Sequence, residues 1–195
     1  MGLMLAAGCL GAESPEGPRL GVQLGLVYPQ GDLGSAVDRK EGLSVGIHGT
    51  LPLGRGLVLC PRGDYTRFPT WKESYSATTE QFSYRSDFSR EISSLSLGAD
   101  LRLHSSRVPG LYALVGLATI AWKQKTSGSL MLRMPGQESS GQSSEATTWR
   151  KAGYSIGTGF LFGPHGFLEA RYTWSRFREE AGSARTFVLA TGYRF

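Results

Sequence analysis

The stretch Ser94-Leu95-Ser96-Leu97-Gly98-Ala99-Asp100-Leu101-Arg102-Leu103 decides the fold. Every second residue is apolar, and the residues between are small or charged. Successive side chains of a strand point to opposite faces, so this period of two gives one greasy face and one polar face.

Working outward from it, seven further segments after Pro18 carry the same alternation, with turn residues between them. The first sets Leu20, Val22, Leu24, Leu26 and Tyr28 against Gly21, Gln23, Gly25 and Val27, and Pro29-Gln30-Gly31-Asp32 ends it. The second sets Leu43, Val45, Ile47, Gly49 and Leu51 against Ser44, Gly46, His48 and Thr50, before a Leu53-Gly54-Arg55-Gly56 turn. In the third, Leu57, Leu59 and Tyr65 alternate with Cys60, Arg62, Asp64 and Thr66. Pro61 has no N–H for a ladder, so a bulge or local irregularity is expected there. The quoted stretch is the fourth segment. The fifth, Gly110 to Lys123, is apolar on both faces; Tyr112, Leu114, Ile120 and Trp122 are placed outward because bulky aromatics suit a membrane interface. The sixth sets Tyr154, Ile156, Thr158, Phe160 and Phe162 against Gly153, Ser155, Gly157 and Gly159, and the seventh Leu168, Ala170, Tyr172 and Trp174 against Glu169, Arg171 and Thr173. The last ends the chain, with Phe187, Leu189, Thr191, Tyr193 and Phe195 on one face.

A chain of 195 residues fits one domain. Its longest apolar run, Leu111 to Trp122, is interrupted by Gly116 and Thr119 and falls short of the about 20 residues a membrane helix needs. A barrel strand crosses in about 9 to 11 residues and shows lipid only every second one, so mean hydropathy does not detect it. Met1 to Ala12 are apolar and small and resemble the end of a secretory signal, which divides the chain into a remnant and tail over 1–17 and a barrel over 18–195. Ala6-Ala7-Gly8-Cys9 loosely resembles a lipobox, with Leu5 one place too early. Cys60, inside an alternating strand, reads as a small wall residue and not a nucleophile.

Alternation fits a membrane barrel or a soluble lipocalin-like barrel binding an apolar ligand; the two differ in which face points outward. Four features favour the membrane. Opposite charges share the polar faces: Arg62 with Asp64, Asp100 with Arg102, Glu169 with Arg171. Connections alternate in length, long after segments one, three and five and tight after two, four and six, as in outer-membrane barrels. Aromatics gather near strand ends, as interface girdles do. The ending Phe187-x-Leu189-x-Thr191-x-Tyr193-x-Phe195 resembles the signal by which the outer-membrane assembly machinery recognises its clients.

From about Pro18 to Phe195 the sequence thus resembles the small OmpA/OmpX-type outer-membrane barrels, and Pro29-Gln30-Gly31-Asp32-Leu33-Gly34 resembles first loops of that broad family. The resemblance implies an all-β fold, a closed eight-stranded antiparallel up-and-down transmembrane barrel in the cell outer membrane of a Gram-negative bacterium.

Eight strands leave room for little besides side chains, so a plugged, non-porin lumen is expected. His48, Arg62, Asp64, Asp100, Arg102, Glu169 and Arg171 are expected to form its ion-pair network, because an unpaired buried charge costs several kcal/mol. A gated small-conductance pore is the alternative use of those charges. The net charge of +5 gathers near the outer rim, where Lys123, Lys125, Arg150, Lys151, Arg176 and Arg178 suit the phosphates of lipopolysaccharide better than nucleic acid. Some small barrels modify lipid A with a His and a Ser, and His104 and Ser106 alternate here; both fall in a turn assigned to the periplasmic side, so no enzyme is read. No cofactor or metal site is read. The expected role is structural or surface-interacting, as a monomer, with the Ser/Thr/Gly/Gln-rich loops at 69–90 and 124–148 as contact elements.

Overall fold

The computed structural model describes residues 17–79, 82–176 and 182–195. Its elements are β1 (Arg19–Gln30), α1 (Gly31–Ala36), β2 (Gly42–Gly54), β3 (Leu57–Arg67), β4 (Trp71–Thr78), β5 (Ser83–His104), β6 (Leu111–Met134), β7 (Gln137–Phe162), β8 (Gly166–Arg176) and β9 (Ser183–Arg194). All strand pairs are antiparallel. β1 pairs with both β2 and β9, and β3 pairs with β5 from Leu57↔Leu103 to Arg67↔Ser93. The pairings therefore return to their start through β1, β2, β3, β5, β6, β7, β8 and β9. A ring has no edge strand to protect. β4, the ninth strand, stands outside it and pairs with residues 83–90 of β5.

Alternation sorts the faces as the quoted stretch requires. Leu95, Leu97, Leu101 and Leu103 are exposed on the outside, Leu97 at 60%, while Asp100 and Arg102 on the same strand are 0% and 2% exposed. Leu20, Leu24, Leu43, Ile47, Ile156, Leu168 and Tyr193 continue this outer apolar surface around the ring. An exposed apolar band with ions enclosed behind it inverts a soluble barrel, so the lipocalin-like reading is set aside.

Four departures from the sequence reading have physical causes. Tyr112, Leu114, Ile120 and Trp122, expected outside, are buried at 1%, 2%, 5% and 3% in the lumen, and the exposed face of β6 is Leu111, Ala113, Val115 and Leu117. When both faces of a strand are apolar, volume decides: the glycines on the inner face of β7 leave room for bulk opposite. A Cβ on Gly153 would meet Ile120 Cδ1 at 2.6 Å, and one on Gly159 would overlap the Tyr112 ring.

Pro61 causes no register shift. The β2–β3 offset is the same at His48↔Arg62 and Leu51↔Leu59, the ladder merely skipping the positions between, and β3–β5 runs unbroken through Pro61↔Ala99. The irregularity falls instead at Pro52/Gly54, beside the turn where Gly54, Arg55 and Gly56 all have positive φ.

The segments expected as long loops are largely strand. β5, β6 and β7 run on as a continuous ladder from Ser83↔Arg133 and Met134↔Gln137 down to the far turns, and β4 adds a fourth strand. The result is a four-stranded sheet rising from one side of the ring. Finally, the segment after β1 is not a simple turn but the short helix α1. Gly31 starts it at φ +63, where a Cβ would also meet Ser183 Oγ at 2.7 Å, and Asp32 Oδ2 accepts a 2.7 Å hydrogen bond from the Ser183 backbone. Cys9 and the first sixteen residues lie outside the described residues. Cys60 is a fully buried wall residue.

Candidate functional site

Two clusters of polar chemistry emerge, one inside the ring and one above it. Inside, strands β3, β5 and β8 each carry an acid and a base two residues apart, so alternation points all six side chains inward at neighbouring levels. Asp100 is the centre. Arg62 Nε lies 3.0 Å from its Oδ2 and Arg171 Nη2 lies 2.9 Å from the same oxygen. The Arg62 approach is an ion pair without hydrogen-bond alignment, whereas Arg171 donates a hydrogen bond. Arg62 also pairs with Asp64, and Arg171 with Glu169. Arg102 Nη2 completes the chain at 3.0 Å from Glu169 Oε2. Three guanidiniums thus face three carboxylates, with no net charge among them.

Neutral donors fill the remaining lone pairs. The Tyr112 hydroxyl donates to Glu169 Oε2 at 2.9 Å, Ser155 Oγ to Asp100 Oδ1 at 3.3 Å, and Gln23 Nε2 to Asp64. Arg102 also lies over the rings of Tyr112 and Phe167, 5.0 and 5.7 Å from their centroids. His48 shares the lumen but not the ion pairs: its ring meets Phe167 edge-on at 5.1 Å, and neither nitrogen has a hydrogen-bond partner among the described residues. The sequence reading missed Gln23, Tyr112 and Ser155, and Arg194, which is buried and donates to the Pro164 carbonyl at 3.3 Å.

Toward the long strands the lumen becomes apolar. Val27, Phe68, Ile92, Ile120 and Trp122 close around Leu33, Ala36 and Val37, which α1 and the residue after it bring in from above. Leu33 is 0% exposed. Between this cap and the ions sits a cavity of about 60 Å³ whose lining includes the hydroxyls of Ser44, Thr66, Ser94, Thr173 and Thr186, room for about two waters.

Above the ring, the expected rim residues divide. Lys123, Lys125 and Arg150 are all exposed and share the outer face of β6 and β7, with Ala121↔Arg150 and Lys123↔Thr148 in register. Lys151 pairs with Ile120 and takes the opposite, lumen-side face. Arg176 is exposed at the end of β8, and Arg178 lies outside the described residues. On the lumen side of the raised sheet, Arg90 lies 5.5 Å over Trp71, whose ring meets Phe88 edge-on at 5.7 Å. Residues 137–148 of β7 are exposed throughout; among the described residues β8 joins β7 only from Gly153↔Ser175, so no described strand pairs with one edge of that length. His104 packs against the Tyr112 ring at 5.4 Å, and the hydroxyl that organises the turn is Ser105, which accepts from the backbone of Arg107 and Val108. Ser106 is not brought to His104 by these contacts.

A profile of the outer membrane protein beta-barrel domain matches residues 1–195. Among solved structures, the chain is similar to Ail, the attachment invasion locus protein of Yersinia pestis, at 15% identity and TM-score 0.51, over 91% of this chain and 97% of that one. It is also similar to Neisserial surface protein A, at 13% identity and TM-score 0.51, over 94% of this chain and all of the other. At such identities the likeness is one of fold. No curated protein matches the chain in sequence.

Proposed function

Because the chain belongs to the outer membrane protein beta-barrel domain family, and so sits in the outer membrane of a Gram-negative cell, we propose that its barrel is a sealed anchor and that its work is done by the sheet raised above it, as a surface-interaction element. The observation that carries this reading is the free edge of β7. Among the described residues no strand pairs with the outer edge of residues 137–148, about 40 Å of strand at roughly 3.3 Å per residue. Edges of this length are normally blunted by charges, above all Lys, or by Pro; this one has neither Lys nor Pro and is Ser, Thr, Gly, Gln and Ala146 with two glutamates, Glu138 and Glu145. An extended segment of a partner adds to such an edge through main-chain hydrogen bonds. Ail, named for attachment and invasion, has the same fold.

The test is a hairpin shortened symmetrically by removal of 126–133 and 138–145, keeping the Pro135-Gly136 tip. Cells displaying it should lose adhesion to an epithelial monolayer while the protein still migrates faster unboiled than boiled. Undiminished adhesion by the shortened protein would end the reading.

Two seals in series support a non-conducting lumen: the ion pairs around Asp100 and the apolar cap around Leu33. Planar bilayers should be silent for the natural protein and for Arg171→Ala, since the cap remains; steps of conductance from the natural protein would replace the sealed anchor with a gated pore. A second contact is favoured by the shared outward face of Lys123, Lys125 and Arg150, which stands just above the apolar band, where the phosphates of lipopolysaccharide lie. Changing all three to Gln should reduce the lipid A that copurifies with the protein, and an unchanged amount would reject it. The ring offers no strand edge within the apolar band, which supports a monomer.

A further inference from the structure

One concavity of the molecule lies outside the lumen. It is a groove of about 910 Å³ on the outer wall, walled by Leu24, Leu26, Leu43, Val45 and Leu189, at the upper end of the volumes that hold small ligands. Its walls are side chains that the outer apolar band leaves exposed, so it is continuous with the lipid interface. Its lip differs from the rest of the rim. Arg67 and Glu41 border it, and Arg67 is paired with Glu91 on β5. The turn before Glu41 adds Asp38, Arg39 and Lys40, with Lys40 Nζ 3.4 Å from Asp38. Asp38 and Arg39 both hold positive φ, at 56° and 55°, a conformation non-glycine residues adopt at a cost and that clusters at binding sites. Arg67 and Glu41 thus line the groove as one cation and one carboxylate, with further charges of both signs, Glu91 and the turn 38–40, beside them. Beyond Glu91, whose register partner is Lys125, the residues Lys123, Lys125 and Arg150 form a cationic face instead.

A polyanionic lipid is favoured at the cationic face and gains little from the balanced lip; a headgroup that carries both charges matches the lip. We propose that this groove seats one zwitterionic glycerophospholipid, its acyl chains along the aliphatic wall, its phosphate toward Arg67 and its ammonium toward Glu41. The seat opens at the long-strand end, so it holds a phospholipid in the leaflet otherwise filled by lipopolysaccharide.

Native mass spectrometry of the folded protein in detergent, offered equal amounts of palmitoyl-oleoyl phosphatidylethanolamine and bis-phosphorylated lipid A, tests this. One phosphatidylethanolamine should be retained by the natural protein. Val45→Trp fills the groove and should lower that retention at least about fivefold, while Leu117→Trp, on the outer face of β6, should not. Glu41→Lys, exposed and outside any strand, should shift retention toward lipid A even if Val45→Trp fails to fold. Equal retention by the Val45 and Leu117 variants, or a natural protein that prefers lipid A with Glu41→Lys without effect, would overturn the seat. The seat's apolar wall is built on β1, β2 and β9, and neither Val45→Trp nor Glu41→Lys alters residues 137–148 or Lys123, Lys125 and Arg150, so failure of the seat leaves the surface role untouched.

Discussion

Arg171 shows what a single residue in this lumen must do. Its guanidinium meets Asp100, Glu169 and, at 3.9 Å, Asp64, and it is 4% exposed. Removing one partner from such a set leaves the others charged and unsolvated, which costs about 3–5 kcal/mol, whereas replacing the whole set with apolar groups of equal volume is often neutral. Arg171→Met should therefore lower unfolding stability in guanidinium titrations of the detergent-folded protein by about that amount. The double change Arg171→Met, Asp100→Leu, which leaves Arg62 with Asp64 and Arg102 with Glu169, should recover part of the loss, and equal loss in the two variants would show the ion pairs to be net stabilising. Tyr112→Phe removes one donor to Glu169 and should cost about 1–3 kcal/mol in the same titration. The charged members were legible as opposite signs on the inward period of each strand. Tyr112 was not, because β6 is apolar on both faces and the deciding fact is a neighbour's missing side chain, Gly159 on β7. His48 was legible as lumenal, but its Phe167 contact is a matter of three-dimensional neighbours that alternation does not encode.

At the scale of elements, alternation located the eight strands of the ring and the apolar and polar side of all but β6. It failed where a strand has no greasy side. The upper part of β7 is polar or small on both faces, and those of β5 and β6 mix polar, charged and apolar residues without steady alternation, so their pairing is fixed by continuation of the ladder from below and by the Pro135-Gly136 tip, where Gly136 has φ +77. β4 has the weakest hold. It is tied to β5 by Ser74 Oγ donating to Asp87 Oδ1 at 2.6 Å, with Arg85 Nε 3.0 Å from Asp87 Oδ2. The Ser74 bond, then Arg85, holds the Asp87 carboxyl below its ordinary range. A lowered carboxyl contributes stability above its unfolded value, about 3.9, and loses it as pH falls through the lowered one. Hydrogen exchange corrected for intrinsic rates should show β4 protection constant from pH 7 to 5 and falling below about pH 4, before the ring strands change. Ser74→Ala should remove part of that protection at pH 7. A β4 protected equally at pH 6 and pH 3 would mean the tie is not ionic.

For the whole molecule, assembly depends on the last strand finding the first. β9 meets β1 from Gly21↔Arg194 to Gln30↔Arg185, the Phe195 backbone donates to Leu20 at 2.8 Å, and Tyr193 packs edge-on with Phe195 at 5.4 Å. Ring closure is thus made by the segment with Phe187, Leu189, Tyr193 and Phe195, which resembles an assembly signal and which we propose acts as one. Deleting Phe195 should lower the amount reaching the outer membrane several-fold while leaving the purified, refolded barrel stable to within about 1 kcal/mol, as for an exposed terminal residue. If the deletion instead destabilises the refolded barrel strongly, Phe195 acts in packing and not in recognition.

The unequal strand lengths carry a consequence for traffic in the bilayer plane. β5 to β7 stand tall while β1, β2, β3, β8 and β9 stop near the rim, so the molecule has a windward and a leeward side. A neighbour drifting in from the β1–β2 quarter meets only the low parapet, and one arriving at β7 meets a standing sail. An encounter is therefore decided by compass bearing, and the rate of productive contact depends on how freely the barrel spins about its own axis.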